Sequence, residues 1–105
     1  MIEQLVGQIE ARYADLSAQL SDPEVVADNR RRAEAGRAFA HIEPAAKLAE
    51  EWRRAVDDAA GARELLDESD DAEVRDMLAA AEARIAELEE EIRLAMVEPD
   101  PNDAK

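Results

Sequence analysis

Cysteine is absent from the 105 residues, so no disulfide framework, thiolate metal site or cysteine nucleophile is available. That absence accords with a cytoplasmic location. Aromatic side chains are nearly missing as well. Tyr13, Phe39 and Trp52 are the whole set, which argues against sheets and against an enclosed pocket. Gly7, Gly36 and Gly61 stand singly inside helical patterns, so no glycine-rich phosphate loop exists. Each reads as a small residue at a helix contact rather than as a hinge. No apolar run approaches the ~18 residues that a membrane span needs. The opening Met1-Ile2-Glu3-Gln4 also lacks the basic region and apolar block of a secretory signal.

Acid is what the chain has in excess. Asp and Glu number 27 against 13 Lys and Arg, a formal net charge of -14. A surface of that sign repels phosphate backbones and anionic lipids, so direct binding to nucleic acid or membrane is disfavoured. It either serves solubility or complements a basic partner protein. Hydrophobic residues reach 47% only because alanine is abundant. A chain rich in alanine, glutamate and arginine favours long, closely packed helices around one modest core.

The apolar positions Ile2, Leu5, Val6, Ile9, Tyr13, Leu16 and Leu20 recur at steps of three and four, which predicts a first helix over about 2–20. Ser21-Asp22-Pro23-Glu24 stops it, and proline behind an Asp or Ser cap starts a short helical turn carrying Val25 and Val26. A second cap at Asp28-Asn29 opens a long helix to about Asp67. Its seam runs through Ala35, Ala38, Ile42, Ala45, Ala49, Trp52, Val56, Ala59, Arg63 and Leu66. Pro44 should kink or break it near Ile42-Glu43-Pro44, because proline loses a backbone donor and clashes with the preceding turn. Asp70 with Glu73 fits a capping box for a third helix over about 71–97. Leu78, Ile85 and Ile92 alternate there with Val74, Ala81, Leu88 and Ala95. The expected fold is all-α, an elongated antiparallel three-helix, coiled-coil-like bundle over 1–97. Leu16, Trp52, Leu78, Ile85, Leu88 and Ile92 are its expected core. Residues 98–105, with Pro99 and Pro101, cannot extend the helix and read as a linker toward a further domain.

No catalytic constellation emerges. His41 is the sole histidine and has no cysteine or second histidine to share a metal. Ser17, Ser21 and Ser69 have no base in a plausible motif. The pairs Asp57-Asp58 and Asp70-Asp71 and the run Glu89-Glu90-Glu91 fall on helix surfaces or caps, where solvation keeps carboxylates ionised. Calcium-loop spacing is absent around Asp67 to Asp71. Arg30-Arg31-Arg32 reads as a solvated face among acids, and Trp52 as a core or partner anchor. The residues therefore nominate no catalytic, cofactor-binding or metal site, and leave the partner-binding residues unknown. A free-standing acidic coiled-coil adaptor or chaperone-like subunit fits this pattern, since a heptad alone does not say whether its mate lies in the same chain. The short turns at 21–23 and 67–71 favour packing within one chain and a monomer.

The order of signals is more specific than the class. Leu20-Ser21-Asp22-Pro23-Glu24-Val25, then Ile42-Glu43-Pro44, then Glu64-Leu65-Leu66-Asp67-Glu68-Ser69-Asp70-Asp71-Ala72-Glu73-Val74-Arg75, and finally Asp100-Pro101-Asn102-Asp103, resemble the N-terminal helical domain of bacterial peptide chain release factor 1, the class I factors reading UAA and UAG. The resemblance spans essentially the whole chain. It departs from the family at Glu98-Pro99, where members carry a proline followed by a basic residue. It implies a role in translation termination for a domain without enzymatic activity, because the family's Gly-Gly-Gln motif for peptidyl-tRNA hydrolysis and its codon-reading motif are not in this sequence. The implied partners are the ribosome, through a basic protein at the base of its stalk, and the class II release factor GTPase. No cofactor is implied, and the location is the cytoplasm.

Overall fold

A computed structural model describes residues 2–97, which form four α-helices: α1 (Ile2–Ser21), α2 (Pro23–Ala27), α3 (Asn29–Glu68) and α4 (Ala72–Val97). No strand occurs among the described residues. The three long helices match the expected segments to within a residue or two, and α2 is the short turn expected behind Pro23. The segment 98–105, read as a linker, lies outside the described residues.

Two aspartates articulate the first half. The Asp22 carboxylate accepts the Glu24 backbone N–H at 2.9 Å while its own N–H closes α1 on the Gln19 carbonyl at 3.1 Å. Asp28 repeats the device. Its N–H donates to the Val25 carbonyl, ending α2, and its carboxylate accepts the N–H groups of Arg30 and Arg31 at 3.0 and 3.2 Å, opening α3. Helix starts leave backbone donors unpaired, and these side chains satisfy several of them. At the third start the cap is Asp71, which accepts the Glu73 N–H at 2.9 Å. Asp70, expected in that role, instead pairs with Arg75 at 3.2 Å.

Of the kink or break expected near Pro44, the break does not occur: α3 runs through Pro44 from Asn29 to Glu68. Proline costs the helix one internal hydrogen bond, and the buried Ile42 and Ala45 on either side of Pro44 hold the backbone helical.

The chain falls into two compact units that divide within α3, between Lys47 and Leu48. In the first, α1 lies antiparallel to the opening half of α3. Tyr13 meets Phe39 with ring centroids 5.1 Å apart, and Leu16 shares a small polar groove with Ala35. Val6, Ile9, Leu16, Val25, Ala35, Ile42 and Ala45 are buried. α2 packs back on α1, covering Val25 and leaving Val26 partly exposed.

In the second unit α4 returns antiparallel along the closing half of α3. Ala49, Trp52, Ala55, Ala59, Ala62, Leu88 and Ile92 are buried there. The core differs from the expected one in three ways. Leu78 and Ile85 are only partly covered, Ala55 and Ala62 are buried without having been assigned to the seam, and Arg63 leaves it to pair with Glu82 of α4 at 2.9 Å. Alanine contributes little burial per residue, so the larger side chains carry most of the hydrophobic stabilisation.

Candidate functional site: an apolar groove with an acidic surround

The seam of the second unit is crossed by three polar pairs. Trp52, 4% exposed, donates its indole N–H to the Glu89 carboxylate at 3.2 Å. The Arg53 guanidinium stands 5.5 Å from the Trp52 ring centre. Arg84 of α4 reaches Glu51 of α3 at 2.7 Å and also Glu91 and Glu87 at 3.2 and 3.3 Å. The hydrogen bond to Glu51, aided by Glu87 and by the nearby charges of Glu51 and Glu91, holds the Arg84 pKa above the ordinary arginine value. The third pair is Arg63 with Glu82.

Toward the α3–α4 turn the surface changes character. An open groove of about 780 Å³ is lined by the small residues Gly61 and Ala80, the large apolar side chains of Leu65 and Met77, and the carboxylates of Asp57 and Asp58. Leu65 is 52% and Met77 61% exposed, more than any other large hydrophobic residue of the described chain. A Cβ placed on Gly61 would meet nothing within 4 Å, and the same is true of Gly7 and Gly36. The glycines are therefore not small residues at helix contacts, as their spacing suggested. Gly61 instead adds open space to the groove.

Charge sharpens the contrast. From Asp57 to Asp76 nine acidic residues stand against two arginines, Arg63 and Arg75, and both arginines are already engaged by Glu82 and Asp70. The first unit is nearly balanced, with eight acidic and six basic residues up to Lys47. The protein's negative charge is thus concentrated in the unit that carries the groove.

His41 is exposed on α3. Arg30 pairs with Glu34 at 3.3 Å, and Arg32 donates to the Asn29 side chain at 3.0 Å and the Val26 carbonyl at 3.2 Å. No polar or charged residue is buried among the described residues, so the paired acids remain in solvent. No group of three or more His, Cys, Asp or Glu side chains is arranged to hold a metal among the described residues, and no helix there is long and apolar enough to cross a membrane.

Comparison with known proteins places the chain in a family. The PCRF domain model matches residues 9–105. The chain belongs to the PCRF-domain family. Among its relatives, the peptide chain release factor 1 of Rubrobacter xylanophilus is 39% identical over 99% of this chain and 30% of the relative. That of Clostridioides difficile is 34% identical over 92% of the chain and 28% of the relative. That of Acidobacterium capsulatum is 33% identical over 100% of the chain and 30% of the relative. The resemblance carried by Ser21-Asp22-Pro23-Glu24 and the later runs is borne out across the PCRF domain. The chain spans about 30% of the length of these relatives. No solved structure matches it.

Proposed function

We propose that this PCRF domain is the N-terminal, non-catalytic helical domain of a stop-codon-specific peptide chain release factor. It acts in translation termination by docking toward the base of the ribosomal stalk. The observation that carries this reading is the similarity of nearly the whole chain to less than a third of release factor 1 relatives. Residues 98–105 would lead to a central domain, and codon reading and hydrolysis would lie in that remaining part. The 105 residues contain no two adjacent glycines, so no Gly-Gly-Gln motif is present to perform hydrolysis here.

The partner follows from charge. A domain of net charge -14 gains nothing from phosphate, since counterion release needs basic side chains, but it is attracted to a basic ribosomal protein. In this reading the domain is monomeric and cytoplasmic and orients the factor on the ribosome. The class II release factor GTPase is a further partner of the same complex.

The test is retention of ribosomes by the immobilised chain at low and high salt, with protein-free rRNA as the control. Ribosomes should be held at low salt and released as ionic strength rises, because screening acts over about 8 Å at physiological salt. Retention of bare rRNA, or ribosome binding indifferent to salt, would overturn the electrostatic basis of the reading.

A further inference from the structure

The proposed ribosomal docking leaves open which face of the domain is used, and the groove between α3 and α4 supplies one. Its volume of about 780 Å³ is of the order of natural ligand clefts. Leu65 and Met77, on facing helices, expose their side chains into the same depression, although isolated exposed hydrophobics elsewhere need no explanation. Methionine suits such a surface, being unbranched and able to adjust to an incoming side chain. Gly61 leaves the approach open where any other residue would project a Cβ.

The acids select the occupant. A second copy of this chain would bring like charges together, and an RNA or an anionic lipid would be repelled from Asp57, Asp58 and the acidic turn beyond them. We propose that the groove docks a basic amphipathic helix of a partner protein. Apolar side chains at i and i+4 of that helix settle against Leu65 and Met77, and its flanking lysines or arginines meet Asp57 and Asp58. This is helix-in-groove recognition with the rim charges setting orientation and partner choice. It rests on the reading of the partner as a basic protein and adds to it the face and the chemistry of contact.

The experiment titrates the isotope-labelled chain with a synthetic helical peptide carrying leucines at i, i+4 and i+7 and lysines on both flanks. A scrambled peptide of identical composition, which has the same charge and no apolar face, is the control. The amphipathic peptide should shift the amide resonances of Gly61, Leu65, Met77 and Ala80 selectively. Its affinity should fall about tenfold or more in the double variant Leu65→Gln, Met77→Gln, whose side chains are more than half exposed. Gly61→Leu, which fills the opening without removing a contact, should weaken binding similarly. Asp57→Asn with Asp58→Asn should flatten the salt dependence. Equal binding of the scrambled peptide, shifts spread over the acidic surface, or indifference to both groove variants would overturn the proposal. Because the probe is a defined peptide, such a failure is separate from a failure to retain ribosomes, which would remove the release-factor reading of the partner and leave the peptide result standing.

Discussion

Few large side chains are closed off from water: Val6, Ile9, Leu16, Val25 and Ile42 in the first unit, and Trp52, Leu88 and Ile92 in the second. With alanine filling most of the remaining seam, each of these carries a large share of its unit's stability. Leu88 has no exposed surface, so Leu88→Ala should cost about 2–5 kcal/mol, read from urea denaturation. Trp52 is the sole tryptophan and is buried, so the same unfolding is reported by a red shift of its emission. Trp52→Phe keeps most of the packing and removes the donor to Glu89, and should cost about 1–2 kcal/mol. Arg84 behaves differently, because it lies at the surface and its three partners are solvated. Its raised pKa means that its contribution is complete at every pH below the ordinary arginine range and is lost only as strong base removes the proton. The effect of Arg84→Gln on the melting temperature should therefore be the same in neutral and in moderately alkaline buffer.

Helix ends and helix interiors respond in opposite directions to alanine. Asp28 caps α3 through two backbone N–H groups, and Asp28→Ala should destabilise the first unit by about 0.5–2 kcal/mol. Gly61 is helical, exposed and free of neighbours at its Cβ position, so Gly61→Ala should stabilise the second unit by about 0.5–1 kcal/mol. Both effects are measurable by circular dichroism melting. Most of this level was legible in the sequence. Capping and proline at a helix start are local chemistry, which is why the ends at Ser21, Asp28 and Glu68 could be placed from residues alone. The choice of Asp71 over Asp70 as cap turns on one residue of backbone geometry, which the acidic run Asp70-Asp71 leaves ambiguous. Continuity of α3 through Pro44 is not legible in the sequence, because a proline's local penalty is fixed while the packing that offsets it, at Ile42 and Ala45, is tertiary. The partial exposure of Leu78 and Ile85 has the same origin, since periodicity gives the face of α4 but not how closely α3 approaches it.

Over the whole chain, charge and covered surface are unevenly shared between the two units. The unit beginning at Leu48 holds nineteen acidic and seven basic residues, so its self-repulsion is the larger. Added neutral salt should raise its melting temperature, followed through Trp52, more than that of a first-unit probe such as the Tyr13–Phe39 pair. The groove was not legible in the sequence for a related reason. Leu65, Gly61 and Met77 stand at ordinary positions of two separate patterns, and only the pairing of α3 with α4 shows that they stay exposed among the described residues. That same pairing bears on accuracy of alignment. Ala49, Ala55, Ala59 and Ala62 present a nearly featureless strip, along which a partner helix could slide by a turn, about 5.4 Å, while still meeting alanine. The three crossing pairs, Trp52 with Glu89, Glu51 with Arg84, and Arg63 with Glu82, are satisfied together in one alignment. Exposed ion pairs add little strength, but polar contacts on a seam penalise every slipped arrangement. Their contribution is uniqueness: they act as the teeth that keep a smooth rail from running out of step.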